Sequence, residues 1–269
     1  MRIVVFGNNW VGWQVVDWLR RQQEELVGLV IHPAAKQRYG PAVIESAGVP
    51  ASCIFDGSQF HQPAVVNAIK ALRADLALSV FFDYLVPPEL LRLFPSGGIN
   101  LHPAYLPWNR GQYPNVWSIV ERTPAGVTLH YMDAGIDTGD VIARQRVAIE
   151  PVDTGETLYR KLERACLELF KNTWPAIRAG KAPRHPQRGT GTSHRRRDAE
   201  QIDEIDLDRM YRARDLIDVI RAKTFPPYPG AYFLDRGRKV YLRLEPAYGK
   251  PTRRSNASKR RSAQPVGAA

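Results

Sequence analysis

The sequence predicts an α/β protein: a Rossmann-like, mostly parallel sheet with flanking helices, followed by a small α+β C-terminal subdomain. Three observations lead there. Short apolar runs, "RIVVFG", "ELVGLVIHP", "DLALSV" and "GINL", alternate with helix-like stretches, as in successive β-α-β units. After residue 125 the pattern changes to two strand-like segments around a Gly- and Asp-rich loop, which reads as a hairpin. Beyond residue 198 a helix, a proline-rich turn and two short strands follow.

The elements follow in order. Residues 2–7 form an apolar strand ending in glycine. A helix comes next, with Trp10, Trp13, Val16 (or Asp17) and Leu19 available for one stripe, and residues 25–33 give a second strand. Strands at 75–80 and 98–101 alternate with helical stretches near 63–73 and 87–94. The segment 153–173 reads as a long helix, Asp153 and Glu156 forming a capping pair at its start. Leu158, Leu162, Ala165, Cys166, Leu169 and Phe170 make its apolar stripe. "GKAPRHPQRGTGTSHRRRD", from 180 to 198, reads as a linker crossing the surface. A helix near 214–223, the turn "FPPYPG" and the strands "AYFLD" and "KVYLRLE" complete the chain's ordered part. The expected organisation is a main domain over 1–180, a linker over 181–198, a subdomain over 199–249 and a disordered basic tail over 250–269.

Composition narrows the function class. With 44% hydrophobic and 24% charged residues the chain has the balance of an ordinary globular protein, and no apolar run approaches a membrane span. The start "MRIVVFGNNW" is not a signal peptide. Cys53 and Cys166 lie far apart in apolar contexts, which predicts buried thiols in a reducing cytoplasm and no metal site. Of the net charge of +11, six charges come from the tail, leaving +5 on the body. That distribution argues for a solvated tail over a nucleic-acid-binding arm. His61, His185 and His194 sit in loops without metal spacing and read as solvated. The first turn, Gly7-Asn8-Asn9-Trp10-Val11-Gly12, lacks the middle glycine of a dinucleotide fingerprint, and His32 stands where a ribose-binding carboxylate would.

The chemistry concentrates in "GINLHPAYLP". Along a strand Asn100 and His102 share one face while Ile99 and Leu101 share the other, and Pro103 ends the ladder. An amide and an imidazole therefore stand side by side at a sheet mouth, either as a site or simply bonding loop backbone. Further on come "LPWNRGQYPNVWSI" and "AGVTLHYMDAGIDTGDVI". With these motifs, in this order over about residues 1–180, the sequence resembles the formyltransferase family, which moves a formyl group from N10-formyltetrahydrofolate to a primary amine.

The resemblance implies a catalytic group of Asn100, His102 and Asp137. Asn100 would donate to the tetrahedral oxyanion, His102 would shuttle the proton, and Asp137 would orient His102, hold its charged form or position a water. Spacing alone cannot bring Asp137 to His102. Asp140 reads mainly as a turn residue. His130 resembles a family position near the site, and reads equally well as a satisfied core histidine. For the folate co-substrate the resemblance implies Phe82, Asp83, Tyr84 and Leu85, with Ala134, Gly135, Ile136 and Thr138, forming an apolar slot with backbone hydrogen bonds. The aromatics among them could instead be core.

The acceptor follows from what is missing and what is present. A tRNA-modifying member would carry a fuller C-terminal barrel and a long basic early loop; a glycinamide ribonucleotide enzyme would end near residue 200. What remains is similar to the nucleotide-linked sugar N-formyltransferases. Their acceptor would meet the loop carrying Tyr105, Trp108, Asn109, Arg110, Gln112, Tyr113 and Asn115. A homodimer is expected from the aromatic C-terminal unit. The rival readings are a methionyl-tRNA formyltransferase-like enzyme, formyl transfer to another amine, and a noncatalytic nucleic-acid-binding protein.

Overall fold

The computed structural model describes residues 1–250, so the expected tail lies, beyond its first residue, outside the described residues. The N-terminal part alternates β1 (Arg2–Gly7), α1 (Asn9–Arg21), β2 (Glu25–Ile31), α2 (Gly40–Ala47), β3 (Ile54–Asp56), α3 (Pro63–Ala71), β4 (Leu76–Val80), α4 (Pro88–Leu91) and β5 (Gly98–His102). A two-residue strand β6 (Arg110–Gly111), α5 (Pro114–Val120), the hairpin β7 (Gly126–Tyr131) and β8 (Val141–Arg146), and α6 (Gly155–Arg178) follow. Then come β9 (Ser193–His194), α7 (Arg196–Gln201), α8 (Ala213–Lys223), β10 (Ala231–Asp235) and β11 (Arg238–Leu242).

Seven strands form the main sheet in the order β3-β2-β1-β4-β5-β7-β8. The first five run parallel, while β7 and β8 add an antiparallel edge. Alternation along each parallel strand sends side chains to two cores. Ile3, Val5, Leu78, Val80, Ile99 and Leu101 pack against α1, α2 and α6, and Val4, Phe6, Val30 and Ala77 pack with Phe55, Ile69 and Leu90 on the other face. That second face changes character at β5 and β7. There it carries Asn100 opposite His130 and His102 opposite Thr128, with Ser79 of β4 beside Asn100, a polar patch where β1 and β2 present apolar side chains.

Several elements differ from the sequence reading. In α1 the buried stripe is Val11, Val15, Val16 and Leu19; Trp10 and Trp13 flank it half-buried, since Trp13 donates its Nε1–H to Ser46 Oγ (3.0 Å). The helices α2 and α5 and strand β3 are too short and too mixed in composition to give a period of their own. Helix α6 starts at Gly155 and runs to Arg178, and its cap is Thr154 in reciprocal bonds with Thr157. Asp153 instead accepts from the Glu150 N–H (2.6 Å) and from Lys161 (2.7 Å), and Glu156 plays no part in the cap. Cys53 is only half-buried, whereas Cys166 is buried as expected.

The linker is a built strap rather than a free crossing. His185 pairs its backbone with Val141, and β9 pairs in parallel with β6. His194, expected in solvent, stacks on Trp117 with centroids 4.0 Å apart and directs Nε2 to Glu121 (3.2 Å).

Candidate active site

The site lies at the C-terminal end of β5, where parallel strands of open sheets commonly present ligands to the loops beyond them. Asn100 and His102 come from β5, His130 from β7, and Asp137 from the turn between β7 and β8. That turn is shaped by its own chemistry. Asp133 accepts from the Gly135 N–H (3.0 Å) and from Thr138 Oγ1 (2.6 Å), closing an Asx turn. At Gly139 a Cβ would meet the Tyr131 carbonyl oxygen at 1.9 Å, so only glycine fits against β7. Asp137 sits in the left-handed region with φ of 54°, a conformation that the surrounding bonds must hold.

Folding closes the 35-residue gap between His102 and Asp137. Asp137 Oδ2 lies 3.4 Å from His102 Nε2 and accepts the Gly111 N–H at 2.8 Å. Its Oδ1 accepts from Asn100 Nδ2 (3.2 Å) and lies 3.4 Å from His130 Nε2. His102 Nε2 also faces the Asn109 carbonyl oxygen at 3.5 Å. Both groups facing Nε2 are acceptors, which puts the ring proton of neutral His102 on Nε2 and leaves the lone pair on Nδ1. His130 donates from Nδ1 to the Tyr131 carbonyl (2.8 Å) and takes an N–H of Asn100 at Nε2 (3.2 Å). His130 thus joins the cluster.

The electrostatics follow from burial and neighbours. Desolvation pushes the His102 pKa below its ordinary 6.5; the Asp137 charge and the Asn109 carbonyl oppose this, and His130 adds to it. His102 is therefore a neutral base at neutral pH. Burial works against the Asp137 charge, but His102, His130 and the Gly111 N–H outweigh it and hold the carboxyl well below its usual range. A neutral imidazole beside a fixed carboxylate can accept a proton and keep the resulting cation stabilised.

The expected folate loops are present on two sides. Phe81 at φ of 51° turns the chain after β4. Phe82 packs into the second core against Phe6, Phe60 and His32, Tyr84 sets its edge on His32, and the Asp83 N–H donates to His32 Nε2 (3.2 Å). Leu85 and Ile136 are exposed apolar side chains, at 69% and 46%, one on each loop. Ala134, Gly135 and Thr138 are exposed in the turn that carries Asp137.

The loop expected to meet the acceptor divides in two. Asn109 is fully buried and bonds Ser118, Thr123 and Thr192, and Asn115 donates to the Gly155 carbonyl (2.9 Å), so these two amides hold the loop. The Tyr105 ring lies under the Arg144 and Arg146 guanidinium groups at 4.5 and 5.1 Å. Trp108 and Gln112 are half-buried and Tyr113 is exposed, none with a side-chain hydrogen bond among the described residues. Arg110 donates twice to Gln187 Oε1, at 3.2 and 2.8 Å. Asp140 pairs with Arg184 (3.6 Å), away from the imidazoles. Sequence reasoning passed over Gln187 and the Gly111 N–H: one lies in a segment read as linker, and the other is backbone.

Comparison with known proteins gives the family. The family model "Formyl transferase" matches residues 1–173, and "N-formyltransferase dimerization C-terminal domain" matches residues 198–245. Among solved structures, a 4-N formyltransferase from Francisella tularensis is similar at 28% identity, covering 92% of this chain and 98% of that one, with a TM-score of 0.79. A sugar N-formyltransferase from a Shewanella species matches at 25% identity over 93% and 99% of the two chains, TM-score 0.79. The formyltransferase PseJ from Anoxybacillus kamchatkensis was solved with a UDP-linked 4-formamido sugar and tetrahydrofolate. It matches at 29% identity over 75% and 89%, TM-score 0.56. By the match over residues 1–173, and with its strand-end amide and imidazole gathered on one buried carboxylate, the chain belongs to the formyl transferase family.

Proposed function

We propose that this enzyme transfers the formyl group of N10-formyltetrahydrofolate to the amine of a nucleotide-linked 4-amino- or 3-amino-deoxysugar. The observation that carries the reading is the convergence of Asn100, His102 and Asp137 at the end of β5. The acceptor class is supported by likeness to sugar N-formyltransferases over nearly the whole chain, the C-terminal unit included.

In this reaction the acceptor nitrogen attacks the formyl carbon, and the new C–N bond makes a tetrahedral oxyanion. Asn100 donates an N–H to that oxygen. Its Nδ2 faces both Asp137 and His130, so the developing anion takes over one of these N–H groups. His102 removes the proton that the attacking nitrogen sheds, and Asp137 stabilises the imidazolium. The bond from carbon to the folate N10 then breaks as N10 receives that proton from His102. Leu85 and Ile136 suit the apolar body of the folate, and the unbonded Trp108, Gln112 and Tyr113 suit the acceptor.

The C-terminal domain supports a homodimer, with Leu207, Met210, Leu234 and Tyr241 exposed on it. The free thiols fit a cytoplasmic setting. The test offers the purified protein N10-formyltetrahydrofolate with dTDP-, UDP- and GDP-linked amino sugars, beside methionyl-tRNA and glycinamide ribonucleotide, following tetrahydrofolate release and product mass. One formyl gained on a nucleotide sugar supports the reading; turnover on tRNA alone overturns it.

A further inference from the structure

We infer that Gln187 is a positioning residue that holds the Asp137 turn over His102 and ties it to the Arg110 guanidinium. The inference rests on the formyl-transfer reading for its kinetic consequence, and on geometry for its structural one.

Gln187 uses all of its hydrogen-bonding capacity between two parts of the site. Its Nε2 donates to the Asp137 carbonyl (2.7 Å) and to the Gly139 carbonyl (2.9 Å). Its Oε1 accepts from Arg110 Nε and Nη2. Only a primary amide of this length supplies two donors on one side and a double acceptor on the other. A carboxylate could keep Arg110 but would face two carbonyl oxygens with no N–H; a methyl group would serve neither.

The need for such a clamp lies in the backbone of Asp137. A non-glycine residue at φ of 54° is held against its own preference, so its neighbours must over-determine the turn. Asp133 does this from the first half of the turn, and Gln187 does it from the second half. Gln187 is itself fixed at the middle of the strap. On one side His185 exchanges backbone bonds with Val141 (2.8 and 3.0 Å). On the other, Arg110 N–H donates to Thr192 O (3.0 Å) and Gln112 N–H to His194 O (2.9 Å). The same strap thus positions both supports of the Asp137 carboxylate: the turn through Gln187, and the Gly111 N–H through β6 and β9. It also holds Arg110 side-on, which leaves Nη1 and one N–H of Nη2 for an acceptor phosphate.

The test compares Q187A and Q187E with the wild-type enzyme, with steady-state kinetics and NMR titration of the His102 ring in folate-free protein. Both variants should fold, since Gln187 is half-buried on a strap that is mostly exposed. A misplacement on the scale of an ångström should lower kcat by about 10- to 10²-fold, with the folate KM within about two-fold. Q187E keeps the Arg110 pair and should lose kcat while its acceptor KM stays near wild type; Q187A should lose both. In Q187A the His102 titration should move to lower pH, because a loosened Asp137 raises it less. Wild-type kcat in both variants with an unmoved His102 titration would overturn the inference, as would a rate loss that cooling restores in step with Tm. If wild-type protein formylates nothing, the formyl-transfer reading fails, and the His102 titration still decides the role of Gln187.

Discussion

Replacing Asp137 with asparagine tests the core of the mechanism, because it keeps the side chain's shape and removes its charge. In the folded enzyme the carboxylate stands 3.4 Å from His102 Nε2, with little solvent between them, since only 12% of the side chain is exposed. When His102 takes the amine's proton, the attraction across that distance is about 5 kcal/mol at an effective dielectric near ~20. Part of that is lost to desolvation, and the least that should remain is a charge-assisted hydrogen bond of about 1.5 kcal/mol. At about 1.4 kcal/mol per tenfold, D137N should lower kcat by about 10-fold at least and several thousandfold at most, with a centre near ~10² to 10³. The amide introduced by D137N would also turn one acceptor into a donor facing His102, Asn100 or the Gly111 N–H. The assay is the pH profile of tetrahydrofolate release. In the wild type the acid limb should fall below pH 6.5, where the depressed His102 pKa lies. In D137N it should shift lower still, since the charge that raises His102 is gone. A kcat within about three-fold of wild type, with the limb unmoved, would refute the assignment of Asp137.

Other expectations follow from the same geometry. His102→Ala should cost about 10²- to 10⁴-fold in kcat while folate binding, measured by fluorescence quenching, persists. Asn100→Ala should cost about 10²- to 10³-fold through the oxyanion, measured in single-turnover reactions. Asp137 also contributes to stability. Its folded pKa lies below its ordinary 3.8, so that contribution is present above pH 3.8 and is lost as pH falls through the folded value. The urea midpoint difference between wild type and D137N should accordingly shrink below pH 4. Thr154→Ala should remove the reciprocal cap of α6 and cost about 1 kcal/mol by chemical denaturation, leaving kcat near wild type.

How far the sequence reached depends on whether the signal was local. The parallel strands β1, β2, β4 and β5 were legible because each is a short apolar run bounded by breakers, and the alternation in "GINLH" alone put Asn100 and His102 on one face. The hairpin was legible from its Gly- and Asp-rich turn. The first helix was misread in detail because three tryptophans and three valines compete for one stripe, and only the sheet beneath decides which set is buried. The cap of α6 was misassigned by one residue, since Asp153 and Thr154 are both good caps and the choice depends on the loop's entry angle.

Residue types and order along the chain are properties of the sequence: an amide two residues before an imidazole at a strand end, and an aspartate in a glycine-rich turn. Together they were enough to indicate the family. Distance between remote segments belongs to the tertiary structure. The antiparallel pairing of β7 with β5 sets His130 opposite Asn100, and the left-handed turn at Asp137 aims its carboxylate back over β5. The folded strap then brings Gln187 and the Gly111 N–H to that turn. Burial of His102 is likewise a sum over segments far apart in the chain, so the lowering of its pKa below the ordinary value exists only once the chain has folded.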